Sequence, residues 1–314
     1  MRRKRKAAVL VTGLLGTVFG GTARAQTPFA DAVRAAEAGR VDRAYALIQR
    51  AAAAEPDSAP VQFWLGEIAT LKARAAGFGF TGFLAARKAR AGFARAAQLH
   101  PFNRDYLQGL TEFLAQAPGI VGGDRDSALV LARRLRSEDD VRGTLVLADV
   151  LRQGGAAERR RADSLVAALL AAHPGDPLAM GGAANYFGLT GRPGRGVPLD
   201  SALVARDSTD ALARYGLARL LVMERHPRRA QPQLAWLLAR AAQVVAVAAT
   251  PGAPGRRFWF SPADAWLLLG RTYRQLGVAD SARACYRRAL ALDPGYAQAR
   301  RALDSMPASA SASP

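Results

Sequence analysis

Histidine and cysteine supply the side chains most often used in acid–base, nucleophilic and metal chemistry. In this sequence the three histidines and the one cysteine are far from one another. His100, His173 and His226 each precede a proline directly, which predicts a helix end, where a histidine complements the helix dipole. No pair of histidine or cysteine residues has the spacing of a zinc site. Cys285 stands just before Tyr286 in a helical pattern, which predicts a buried thiol without a neighbouring base. The sequence therefore predicts no catalytic residue and no metal ligand.

Glycine-rich stretches are the next chemical possibility, because closely spaced glycines can hold a phosphate. They lie at residues 77–82 and at Gly122–Gly123. Phosphate-binding loops follow a strand and open a helix, whereas both stretches here have helical patterns on either side. The glycine pair is expected to supply unusual backbone angles before Asp124 or Asp126 caps a helix. We expect no cofactor and no enzymatic activity.

The composition predicts an all-α protein with a strongly basic charge. Alanine, leucine and arginine favour helices, and runs of β-branched residues are scarce. The formal net charge is +19, and residues 26 onward hold 38 Lys and Arg against 25 Asp and Glu. Either an arginine-rich composition throughout the chain or a basic face for an anionic partner would explain this excess. Nucleic acid is not an expected partner, because the basic segments lack interleaved aromatic residues.

The N-terminus has the three parts of a secretory signal in order. Residues 2–6 are all basic, residues 7–22 are uncharged and largely apolar, and Ala23-Arg24-Ala25 gives the small-x-small pattern of a cleavage site. Cleavage after Ala25 would leave Gln26 as the new N-terminus and place the protein in the periplasm. The alternative is an uncleaved inner-membrane anchor, for which the apolar stretch is shorter than the roughly 20 residues of a membrane span.

One segment near the C-terminus has a regular helical repeat pattern. In residues 263–296, Trp266, Leu269 and Tyr273 recur on one helix face. Gly270 and Ala282 are small, so two antiparallel helices can cross closely there. The segment resembles the tetratricopeptide repeat, whose period is about 34 residues. The residues that carry the resemblance are Trp266, Leu269, Gly270, Tyr273, Ala282, Tyr286, Ala289 and Pro294.

Weaker copies of the pattern run upstream and extend the resemblance over residues 26–249. The second copy has Gly66 on its first helix and Phe93 on its second and holds about eleven extra residues, and Pro118–Gly123 gives a PG-x-x-GG loop in the third. The chain resembles exported bacterial repeat proteins with an extended second repeat and this loop. The resemblance implies a right-handed superhelix of about six to seven helix pairs. The remaining segments are predicted as a Pro/Gly-rich linker at 250–262, a capping helix at 297–306 and a disordered tail at 307–314.

In proteins of the resembling family, the first helices of the pairs line a groove that holds an extended peptide or a helix. We therefore expect a scaffold or adaptor of the cell envelope. In the last repeat Arg271, Arg274 and Gln275 are expected to face the groove, where two arginines one turn apart could bind a carboxylate. Two alternatives remain: a membrane-surface protein that uses a basic face and the Phe-rich insert, or an enzyme subunit that uses residues 176–262.

Overall fold

Fifteen α-helices make up most of the chain that the computed structural model describes, which is residues 28–77, 79–240 and 260–307. The predicted signal segment with Ala25 and Gln26, the 250–259 part of the linker and the 308–314 part of the tail lie outside these residues. The helices are α1 (Pro28–Glu37), α2 (Val41–Ala54), α3 (Ala59–Ala76), α4 (Phe80–Leu99), α5 (Arg104–Gln116), α6 (Arg125–Glu138), α7 (Asp140–Arg152), α8 (Ala156–Ala172), α9 (Pro177–Leu189), α10 (Pro193–Arg206), α11 (Ala211–Met223), α12 (Pro227–Ala239), α13 (Pro262–Gln275), α14 (Ala279–Leu292) and α15 (Ala297–Asp304).

The helices pack in consecutive pairs, from α1 with α2 to α13 with α14, and each pair also packs on its neighbours along the chain. Short turns join the two helices of a pair, so they run antiparallel. Helix α15 follows the seventh pair and packs on α14. The prediction of an all-α fold built from six to seven helix pairs is confirmed.

Side-chain caps define where many of the helices begin. Their oxygens accept hydrogen bonds from backbone N–H groups that have no partner within the helix. Ser261 and Asp264 cap each other's backbone N–H at the start of α13, which is a capping box. Single caps of this kind are Asn103, Asp124, Asp139, Asp176 and Asp210.

Two prolines lie inside helices where the sequence pattern suggested a boundary. A proline is typical of the first turn of a helix, but α12 begins at Pro227 and continues through Pro232. The glycine- and proline-rich stretch around Pro198 has no clear helical pattern, yet α10 runs through it. Each proline removes one backbone hydrogen bond. Packing of buried residues on the same helices, such as Leu234 and Leu203, outweighs that loss.

The extra residues of the second pair lengthen both of its helices. The contact between Gly66 on α3 and Phe93 on α4 corresponds to the contact between Gly270 and Tyr286 in the last pair. A Cβ added at Gly66 would lie 2.6 Å from the Phe93 ring, and one added at Gly270 would lie 2.3 Å from the Tyr286 ring. The two units therefore share the same close contact between a glycine and an aromatic ring, although α3 and α4 are longer.

The curvature of the array brings its first unit next to its last. Gly39, in the turn between α1 and α2, faces Ser261 at the start of α13, and a Cβ added at the glycine would lie 3.8 Å from the serine Cβ. Burial raises the pKa of Asp293, and Asp42 and Lys72 lie close enough to act electrostatically on the same carboxyl group. The two ends of the array thus touch each other.

Candidate binding surfaces

The residues that carry the repeat resemblance form the packed interior of the last pair. Leu269, Gly270, Ala282, Tyr286 and Ala289 are buried. Trp266 and Tyr273 are half-buried and pack against the core, while Pro294 is exposed beyond the end of α14. These side chains hold the two helices together and leave the polar residues of α13 available for contact.

Two of the three residues expected to bind a partner lie in one depression. Arg271 and Arg274 line an open depression of about 310 Å³ together with Gln298, Arg301 and Ala302 of α15. Arg271 Nη2 donates a hydrogen bond to Gln298 Oε1 at 3.3 Å, which links α13 to α15. We call this surface the α13–α15 basic face. Its α15 residues were not predicted, because the sequence does not show how the last helix folds back.

Gln275, the third expected residue, lies in a different place. Its Nε2 donates to the backbone oxygen of Val222 at 2.8 Å, which joins the ends of α13 and α11. It lines a second depression of about 400 Å³ with Leu276, the α11–α12 turn and the first residues of α12. The structure thus separates Gln275 from Arg271 and Arg274. The turn contributes Arg225 and His226, and α12 contributes Pro227, Arg228 and Arg229. Together they form a basic run that we did not single out in the sequence.

The positive charge is concentrated in the last third of the chain. Residues 211–307 hold 15 arginines and 5 Asp and Glu residues, whereas residues 26–210 hold 23 Lys and Arg against 20 Asp and Glu. No ion pair among the described residues involves Arg271, Arg274 or Arg301. A compositional preference for arginine would act along the whole chain, so the local excess favours a basic face.

An apolar surface stands out at the start of α4. Phe80 and Leu84 lie one turn apart, and their exposed fractions are 77% and 45%. Arg87 and Lys88 continue the same exposed side of the helix. Residues 68–104 contain seven Lys and Arg residues and no Asp or Glu. This combination gives an apolar tip beside a basic helix surface.

The reactive side chains do not assemble a catalytic group. Cys285 is buried, and burial raises the pKa of its thiol to about 11. His100 and His173 follow α4 and α8 as C-caps, as expected, but His226 precedes α12 at its N-terminus. Among residues 28–77, 79–240 and 260–307, no group of three His, Cys, Asp or Glu residues could hold a metal ion. Within the same ranges, no helix is both long and apolar enough to cross a membrane.

The carboxylate of Asp200 is buried between the fifth and sixth helix pairs. Asp200 on α10 is 4% exposed, and its Oδ2 lies against Gly216 of α11, where an added Cβ would come within 2.5 Å of it. Burial raises the pKa of Asp200 to about 7, opposed by the nearby charge of Arg219. Because the side chain is 4% exposed, a substrate does not reach it, and its effect is on how the stability of the protein depends on pH.

The comparisons with known proteins agree with the repeat in the last pair. Residues 263–296 match the family model described as the tetratricopeptide repeat. No curated protein matches the chain in sequence.

Several solved structures are similar to the chain. A tetratricopeptide repeat protein from Parabacteroides merdae ATCC 43184 is 14% identical, with a TM-score of 0.47 over 88% of this chain and 96% of that one. A chain of the APC/C hetero-tetramer Cut9-Hcn1 has the same identity and TM-score, but this chain spans only 48% of its length. The TPR domain of P58(IPK) is 13% identical, with a TM-score of 0.31 over 89% of this chain and 63% of that one.

Proposed function

We propose that the protein is a non-catalytic scaffold that binds an acidic segment of a partner protein on the α13–α15 basic face. The observation that carries this proposal is the convergence of Arg271, Arg274 and Arg301 around one depression without a carboxylate. A guanidinium group presents a planar fork of N–H donors that matches a carboxylate. Three such groups favour a segment with several Asp or Glu side chains over a neutral one.

The exposure of these arginines affects how the interface would behave. Arg274 and Arg301 are exposed and Arg271 is half-buried, so bringing a carboxylate to them removes little water from any charge. Such contacts mainly steer association and select the partner. At 0.1 M ionic strength, salt largely screens attractions between exposed charges that are more than about 10 Å apart. We therefore expect binding to weaken as salt concentration rises.

Reversing the charge of this face tests the proposal. Arg271→Glu with Arg274→Glu is expected to weaken capture of the partner from envelope extract by at least about tenfold, because the reversal replaces two attractions to an acidic segment with two repulsions. Affinity capture on the mature protein with quantitative mass spectrometry measures it. Arg160→Glu with Arg161→Glu, on exposed residues of α8, makes the same charge change and should leave capture unchanged. Equal capture by both double variants would contradict the proposal.

We also propose that the protein acts in the cell envelope. The proposal rests on the basic residues 2–6, the uncharged stretch at 7–22 and the small residues Ala23 and Ala25. The protein used for the capture experiment can be isolated from the envelope fraction for N-terminal sequencing. A mature chain that begins at Gln26 would support export and cleavage, whereas a chain that keeps residues 2–6 would contradict cleavage.

A second candidate function is contact with an anionic membrane surface through the start of α4. Exposed Phe80 and Leu84 can enter the lipid headgroup region while the basic residues that follow attract anionic lipids. Phe80→Ser with Leu84→Ser is expected to reduce co-sedimentation with phosphatidylglycerol vesicles several-fold. Val130→Ser, another exposed apolar residue, is the matched control on α6. Co-sedimentation that is absent in the unmodified protein, or the same in all of these proteins, would exclude this candidate.

A further inference from the structure

We propose that the α11–α12 turn and the first residues of α12 form a binding site for a phosphate group, separate from the α13–α15 basic face. The depression of about 400 Å³ is lined by Arg225, Arg228 and Arg229, with His226 between them in the chain. We call it the turn pocket. Its other side is formed by Gln275 and Leu276 at the end of α13. The pocket therefore joins the sixth helix pair to the seventh.

The two sides of the turn pocket are held together by a direct contact. Gln275 Nε2 donates to the oxygen of Val222, three residues before Arg225. The amide of Gln275 cannot rotate away without losing this bond, so the end of α13 keeps its position against the turn. A bound anion would meet a framework that is already in place, which reduces the entropy lost on binding.

The backbone at Arg225 points to a function for its side chain. Arg225 has φ = 58°, and it is the one non-glycine residue with positive φ among the described residues. Gly39, Gly191 and Gly277 take the corresponding position in the first, fifth and seventh pairs, with φ of 73°, 72° and 78°. All four share the same pair of hydrogen bonds at the end of the first helix. An arginine is strained where its counterparts are glycine, and such strain concentrates at functional sites.

The charge of the turn pocket is not neutralised by the protein. All 25 Asp and Glu residues of the chain lie within the described residues, and none of the ion pairs found there involves Arg225, Arg228 or Arg229. The adjacent acid, Glu224, turns toward α10, where its carboxylate would lie 3.4 Å from a Cβ at Gly194.

The composition of the pocket fits a phosphate better than a carboxylate. A phosphate monoester carries about −1.5 to −2 charge at pH 7 and three strong acceptor oxygens. Three arginines can supply separate donors to those oxygens, whereas a single carboxylate satisfies one guanidinium fork. The ligand class is therefore a phosphate group, either on a soluble molecule or on a lipid.

Replacing Arg225 with glycine separates binding from stability. Arg225→Gly is expected to weaken binding of inorganic phosphate about tenfold or more, through loss of one charged donor. The same change should raise Tm by about 2 °C, because it removes backbone strain. Isothermal titration calorimetry and thermal unfolding of the mature protein, at low salt, measure the two effects. A structural role for Arg225 predicts that Tm falls instead.

Two further measurements decide the outcome. Arg160→Gln changes one exposed charge on α8, away from the pocket, and should bind inorganic phosphate like the unmodified protein. Vesicles that contain phosphatidic acid provide the lipid form of the same group. Arg225-dependent binding of inorganic phosphate supports a soluble ligand, and Arg225-dependent binding of the vesicles alone supports a lipid. Absence of both, or equal binding by Arg225→Gly and the unmodified protein, overturns the proposal.

Discussion

Gly270→Ala is expected to lower the free energy of unfolding by about 3 kcal/mol, the upper part of the range for an overpacked core. The added Cβ would lie 2.3 Å from the ring of Tyr286, which is fully buried in the core of the last unit. Relief requires α13 and α14 to separate, and their interface contains the core of the last unit. Urea unfolding followed by circular dichroism measures the loss.

The matched control is Gly181→Ala on α9. A Cβ at Gly181 would lie 3.6 Å from Leu203 Cδ1, which is ordinary contact, so this variant should gain up to about 1 kcal/mol from the better helix propensity of alanine. Tyr286→Ala alone should cost about 3–5 kcal/mol. Combined with Gly270→Ala it should cost clearly less than the sum of the two losses, since the ring that clashes is gone. Additive losses would show that the glycine acts in some other way.

Asp200→Asn is expected to stabilise the protein at pH 8 and to change how stability depends on pH. Burial raises the pKa of Asp200 from 3.8 to about 7, so the folded protein holds a proton that the unfolded chain releases. The contribution of Asp200 to the free energy of unfolding is therefore complete below pH 3.8, its pKa in the unfolded chain. It falls by about 1.4 kcal/mol per pH unit from there up to about pH 7. The neutral amide avoids a loss of at most about 4 kcal/mol.

The measurement compares urea unfolding of the variant and the unmodified protein at pH 5 and pH 8. The advantage of Asp200→Asn should grow by about 3 kcal/mol between these pH values. Burial also raises the pKa of Glu37 to about 7, but this group is present in both proteins and cancels in the comparison. Asp280→Asn, at a side chain that is 93% exposed, should show no such growth. An advantage for Asp200→Asn that does not change with pH would contradict the burial argument.

The repeat pattern predicted the local packing correctly because that packing depends on residues close in sequence. Gly270 and Tyr286 are 16 positions apart, and their contact follows from helix period and one short turn. The sequence places Gly66 and Phe93 on the two helices of the second unit, across its extra residues, and the structure shows that they make the equivalent contact. Both contacts need only that two neighbouring helices cross at a small side chain.

Two kinds of feature were not predicted from the sequence. Pro232 lies inside α12 because packing along the rest of the helix outweighs one missing hydrogen bond, whereas the sequence pattern shows the proline but not the packing. Arg301 meets Arg271 only because α15 folds back over α13, and this contact depends on the angle between helices. The basic residues at 225–229 can be seen in the sequence. The backbone geometry that singles out Arg225, which takes the place of the glycine in equivalent turns, is seen only in the structure.

The contact between Gly39 and Ser261 changes the mechanics of the array. An open stack of repeats bends like a spring, and its end units loosen first because each has one neighbour. Here the first unit also contacts the last, so each end unit has a second neighbour. Spreading the helix pairs apart must also separate these two units, which makes the array stiffer than an open stack. A partner whose binding requires the pairs to spread would have to break the contact between Gly39 and Ser261, and its binding energy would be reduced by that work.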